Sequence, residues 1–172
     1  MNNQLHLPRL GEITAFNFSL AALILGSLRW NPAIWINDYP PDIKAAHGPL
    51  TPPAKRQATF IAFPFFVIGI GLPLWSALRL KRRNQGQLSF FAVFTHIFSF
   101  IVSAWFLDLT VLDWLLFVTI TPDFVIIPGT EGMAGYDDYA FHLREHMRAF
   151  PFLIIASMAL AFVVMLIPTP ND

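Results

Sequence analysis

Apolar residues run almost unbroken through four stretches of this chain, and polar residues collect between them. The first stretch, ITAFNFSLAALILGSL, is short for a bilayer crossing, which takes roughly 20 apolar residues. Leu10 and Gly11 extend it and Arg29 with Trp30 closes it, so the pattern predicts a span over about 11–29. The second, ATFIAFPFFVIGIGLPLWSALRL, predicts a helix over 58–80. Pro64 and Pro73 bracket Gly69 and Gly71 there and free backbone carbonyls, so this helix is expected to be kinked or locally unwound. A tight basic turn, Lys81 to Gln87, leads into the third stretch, predicted to span 88–114. Its small and polar residues, Ala92, Thr95 or His96, Ser99 and Ser103, recur at helical spacing and mark a face that packs on other helices. The fourth, FLIIASMALAFVVMLI, predicts a span over 150–167, with a kink at Pro151.

The connections carry signals of their own. Asn31 to Gln57 is Pro-rich, and DIKAAH within it reads as a short helix stopped by Gly48-Pro49. Thr51 before Pro52 reads as an N-cap with proline at the first helical position. In VTITPDFVII, β-branched residues flank the turn dipeptide Pro122-Asp123 and predict a short hairpin-like element. A helix begins near Tyr136 and continues into the fourth span. Stepping 100° per residue puts Asp138, His142, Glu145 and Arg148 on one side of it, and Tyr139, Leu143, Met147 and Phe150 on the other. The predicted fold is all-α: a four-helix transmembrane bundle in a single domain over 1–172. A small extramembrane cap built from 31–57 and 119–148 contains the hairpin.

Composition sharpens this picture. Of 172 residues, 55% are hydrophobic and only 13% charged, against roughly a quarter charged in soluble domains. Eighteen Phe and five Trp against three Tyr suit a lipid-facing surface. The net charge of zero gives no basic footprint for nucleic acid. The absence of Cys excludes disulfides, thiolate catalysis and Cys-ligated metal. The start, MNNQLHLPRLGEI, lacks the features of a secretory signal. Basic residues divide almost evenly between the two ends, but the dense Lys81–Arg83 cluster assigns its end to the cytoplasm. All the acidic residues except Glu12 and Asp172 then lie opposite. Four short spans bury little surface alone, so the expected partners are the lipid bilayer and either a second copy or other membrane subunits.

Two places carry candidate chemistry. His142-Leu-Arg-Glu145-His146 fits the H-x-x-E-H pattern of inverted zincins. Histidines at i and i+4 share a helix face and can hold one divalent metal, with Glu145 as the base acting on metal-bound water. Asp138, one turn before His142, is a candidate ligand or orienting group. A third ligand would have to come from upstream, such as Asp137, Asp42 or His47. The competing reading of the same residues is a solvated helix stripe with ion pairs such as Glu145 with Arg148. The second place is His96, mid-helix in the third span, where an ionisable residue is expensive. It reads as a proton relay, as an axial ligand to haem or chlorin, or as a neutral imidazole hydrogen-bonded to Asn17 or a serine. Phosphate-binding loops and nucleophile elbows are missing.

WINDYPPDIK (Trp35 to Lys44) and TITPDFVIIPGTEGM with YDDYAFH (Thr119 to His142) are similar to a group of small bacterial polytopic membrane proteins. The resemblance implies a self-contained multi-span domain in a bacterial inner membrane, with the first and third connections forming the functional surface. It implies no activity. The leading expectation is a non-enzymatic scaffold, accessory subunit, or small-solute or lipid-binding module of a membrane complex. The alternatives are a membrane enzyme with metal at Asp138, His142 and His146, or a haem or chlorin subunit through His96.

Overall fold

Four helices in the computed structural model, which describes residues 7–168, are long and apolar enough to cross a membrane. They are α1 (Leu10–Trp30), α3 (Pro52–Arg83), α4 (Phe90–Ile120) and α5 (Tyr139–Leu166), with a short α2 (Pro41–His47) between the first two. Among the described residues no strand forms. Each long helix extends past its apolar run because its ends are capped. The Arg9 N–H donates to Glu12 Oε2 at the start of α1. At its end, Asn31 Oδ1 accepts from the Ala33 N–H as the chain enters a 3-10 turn over Pro32–Asp38. Thr51 Oγ1 accepts from the Ala54 N–H to open α3, with proline at the first helical position as expected. Helix α2 stops at Gly48, whose φ of +72° only glycine adopts cheaply.

Two helices loosen from α to the wider i→i+5 winding. In α3 this happens at Val67–Gly71. Pro73 has no N–H to offer the Gly69 carbonyl and its ring crowds that oxygen, so the turn before it widens. A Cβ on Gly69 or Gly71 would meet nothing within 4 Å, so neither glycine serves a close helix contact. In α4 the wide winding covers Asp108–Ile120. It ends at Thr121, in the left-handed region at φ 44°, where the Thr121 N–H donates to the Leu116 carbonyl and Oγ1 to the Phe117 carbonyl.

That ending corrects the expected hairpin. Helix α4 runs to Ile120 instead of 114 and absorbs the β-branched residues before Pro122, and Asp123–Val125 form a 3-10 turn. Val125 and Ile127 find no strand partner. They are buried instead in a core with Tyr39, Ile43, Phe117 and Tyr136. Helix α5 starts at Tyr139, after a 3-10 turn at Ala134–Asp137, and passes Pro151 without interruption.

The helices meet through two further cores. Ala77, Ala92, Val93, Ile97, Ala161 and Val164 join α3, α4 and α5. Phe16 and Leu20 join α1 to Phe100 of α4, with the Phe16 and Phe100 rings edge to face at 5.3 Å. Small residues let the backbones approach there, as the spacing in the third stretch predicts. Buried Lys81 donates from Nζ to the carbonyls of Met165 (3.2 Å) and Ile167 (2.7 Å) and so closes the C-terminus of α5. Outward, the helices present large apolar side chains, with Phe63 75% and Phe152 70% exposed.

At one end the first connection folds over the segment after α4. Tyr39 is buried, and its hydroxyl donates to the Val125 carbonyl at 2.8 Å. The Ile127 N–H donates to the Tyr136 hydroxyl, which also meets Thr130 Oγ1. The Gly135 N–H donates to Asp42 Oδ2 at 2.9 Å.

Candidate functional site

Beneath this cover lies a cavity of about 380 Å³ whose walls include Asp38, Asp108, Asp113, His142, Glu145 and His146. A second cavity of about 410 Å³ shares Asp38, Asp108, Glu145 and His146 and continues among apolar side chains such as Leu20, Ala104 and Leu153. The polar group at their junction comes from α4, from α5 and, at Asp38, from the 3-10 turn that follows α1.

Helix α5 supplies His142 and His146, one turn apart on one face, as the H-x-x-E-H spacing predicts. The histidine edge points inward, while Glu145 and Arg148 from the same predicted side are exposed. His142 is buried, with Phe117 and Phe141 rings against it at 4.9 and 5.2 Å, while Leu143 and Met147 on the other side are exposed.

Helix α4 supplies Asp108 and Asp113, and its wide winding makes them a pair. An i→i+5 turn sets residue 113 about one turn after residue 108. Ordinary α winding would turn them roughly 140° apart. Asp113 Oδ2 lies 3.1 Å from His142 Nδ1 and 3.4 Å from His146 Nδ1. Asp108 Oδ2 lies 3.4 Å from His146 Nε2. His146 Nδ1–H also donates to the His142 carbonyl at 3.0 Å. Trp105 supports the same turn by donating from Nε1 to the His146 carbonyl. Asp108, Asp113 and His146 each offer a ligand atom within 4.8 Å of the other two.

The remaining residues singled out from the sequence sit elsewhere. Asp138 is the N-cap of α5: its Oδ1 accepts from the Phe141 N–H at 2.8 Å, and Oδ2 faces Arg144 at 3.5 Å. It borders neither cavity. Glu145 borders both but is exposed and pairs with Arg148. Asp42 is committed to Gly135, and His47 Nδ1 donates to the Gly48 carbonyl. His96 is buried among α1, α3 and α4, and its Nε2 meets Ser76 Oγ at 2.9 Å. The serine-bonded form of this imidazole is therefore present, and an axial ligand role would first have to break it. Asn17, the other partner considered, instead accepts from Ser103 Oγ.

Asp38 stands at the cavity mouth, reaching water at its surface with protein on its other sides. That enclosure, with the Asp108 and Asp113 carboxylates added to it, pushes its carboxyl up to about 6, against the opposing pull of Lys44 and His142. Enclosure likewise raises the Tyr39 hydroxyl, with Tyr136 and Asp38 adding to the shift.

The chain is thus an all-helical protein with four membrane-length helices and an Asp–His cluster at one end of them. No protein-family model, curated protein or solved structure matches it.

Proposed function

We propose that this protein is a four-span integral membrane bundle that binds a small cationic solute in the pocket beneath its cap. The membrane placement rests on the four long apolar helices and on their exposed Phe side chains. In water each exposed Phe would forgo about 25 cal/mol per Å² of burial; in lipid that penalty vanishes. The bilayer is that of a bacterial plasma membrane, with the Lys81–Arg83 end in the cytoplasm and a second copy or other subunits completing the assembly.

One observation carries the binding reading. Asp38, Asp108 and Asp113 line one cavity with His142 and His146, no Lys or Arg is among the described residues lining it, and the fourth carboxylate there, Glu145, is paired with Arg148. Like charges held this close in a partly dry site raise one another's energy, and a cation relieves them. Arg144 and Arg148 answer Asp138 and Glu145 from the outer surface instead. An enzyme with Glu145 as base would need that carboxylate released from Arg148, so binding without chemistry fits the geometry better.

The test is thermal unfolding of the purified protein in mild detergent with sodium, tetramethylammonium, methylammonium, Mg²⁺ or Zn²⁺ added in turn. A bound cation stabilises by about 2.7 kcal/mol at a hundred times its Kd. Saturable stabilisation by one of these classes, abolished in Asp113→Asn, is the expected result. Failure of every class at millimolar concentration would sink the reading.

A further inference from the structure

We infer that the cation is a divalent transition-metal ion, ligated by Asp108, Asp113 and His146, with His142 holding the Asp113 carboxylate through its Nδ1. The inference rests on the cation-binding reading and names its ligand.

The argument begins with protons. His146 Nδ1–H is directed at the His142 carbonyl, so in the neutral ring Nε2 carries a lone pair. That lone pair lies 3.4 Å from the acceptor-only oxygen of Asp108. Two acceptors at this separation repel unless a cation sits between them, either a proton on the imidazole or a metal ion.

His142 bears on the choice through Asp113. Its Nδ1 is 3.1 Å from Asp113 Oδ2, close enough to donate its hydrogen to the carboxylate. Its Nε2, on the far side of the ring, is buried and has no hydrogen-bond partner, and His142 borders the cavity. A buried polar atom without a partner is costly. That nitrogen lies across the ring from Asp113 and outside the set of three ligand atoms, so what His142 brings to the site is the Nδ1–H that orients the Asp113 carboxylate, as the outer partners of metal ligands do. A proton on His146 answers only one of the two carboxylates Asp108 and Asp113, whereas a divalent ion answers both.

The donor set narrows the metal. Carboxylates alone suit Mg²⁺ or Ca²⁺, whereas imidazole with carboxylate suits Zn²⁺, Fe²⁺, Co²⁺ or Mn²⁺. The three ligand atoms already lie within 4.8 Å of one another. Modest side-chain rotation brings them to metal–ligand distances of about 2.0–2.2 Å. The open side of the ion would face the cavity.

The experiment is equilibrium dialysis of the detergent-purified full chain against Zn²⁺ and Co²⁺, with metal counted by mass spectrometry and Co²⁺ followed by its visible d–d bands. Circular dichroism and size-exclusion elution check that each variant folds. One equivalent of metal is expected in the wild type and in Asp138→Asn, which keeps a capping side chain. Affinity is expected to fall at least tenfold in Asp108→Asn, Asp113→Asn and His146→Gln, and about 10–100-fold in His142→Gln. Equal binding in wild type, Asp113→Asn and His146→Gln would overturn the site. Loss in Asp138→Asn with retention in Asp108→Asn would overturn this donor set. If no transition metal binds while an organic or alkali cation still stabilises the protein, the metal inference falls and the cation pocket stands. If nothing binds, both fall.

Discussion

Gly135→Ala tests how tightly the cover is keyed to the rest of the chain. A Cβ at this position would lie 2.3 Å from Asp42 Oδ1 and 2.8 Å from Pro40 Cβ. The carboxylate can swing away, but it then forfeits the 2.9 Å hydrogen bond from the Gly135 N–H. A hydrogen bond to a charged group contributes about 1.5–3 kcal/mol. Pro40 has no such freedom, because it is fully buried and its ring fixes the entry to α2. The backbone must move there, and overpacking of this kind costs about 1–3 kcal/mol. Together these give about 2.5–6 kcal/mol of local destabilisation. Asp42→Ala alone loses only the hydrogen bond, about 1.5–3 kcal/mol. In the double variant that bond is lost once and the oxygen clash is gone, so its cost should be close to that of Gly135→Ala alone. The single costs should therefore overshoot the double by about 2 kcal/mol, as expected of contacting residues. Amide hydrogen exchange over 133–138 in detergent reads the local opening directly. Exchange about two to four orders of magnitude faster in Gly135→Ala is expected, since about 1.4 kcal/mol is tenfold. Additive single effects, or unchanged exchange in Gly135→Ala, would refute the packing argument.

Three other outcomes follow from the same geometry. Lys81→Met strips the donor from the Met165 and Ile167 carbonyls and should cost about 1–3 kcal/mol, seen as faster exchange over 160–168 and a lower unfolding midpoint. Ser76→Ala removes the hydroxyl that meets buried His96 Nε2; hydrogen bonds between membrane helices average about 0.6 kcal/mol and reach about 1.7, so a loss in that range is expected in a thermal unfolding comparison with Ser76→Thr. Asp38, raised from 3.8 to about 6, binds its proton more tightly folded than unfolded, so its contribution is fully present below pH 3.8 and is lost as pH rises through about 6. The unfolding midpoint of Asp38→Asn should lack that dependence between pH 4 and 6, and a profile superimposed on the wild type would contradict the assignment.

The sequence announces the four long helices and their caps because apolar length and capping residues are local signals. Thr51, Pro52 and Gly48 do in the structure what their chemistry requires. The hairpin reading of 118–127 went astray because β-branching reports a preference that helix packing overrides. Val118 is buried at the end of α4, and Val125 is buried against Tyr39.

Half of the polar cluster was legible and half was not, for reasons that differ. His142 and His146 share a face under ordinary α winding, so a helical wheel finds them. Asp108 and Asp113 do not, since five residues at 100° each leave them roughly 140° apart. Only the wide winding of Asp108–Ile120 aligns them, and no residue type marks such winding in advance. One signal was available. Asp113 interrupts the apolar run LTVLDWLLF, and an ionisable residue in such a run is a candidate site by default. Ending the span at 114 placed Asp113 at a watery end and removed the reason to single it out. With α4 continued to Ile120, the same carboxylate lies a further turn inside the helix, where it must find partners, and it finds His142 and His146. The register of one helix, more than the composition of either, therefore decides which carboxylates face the two histidines.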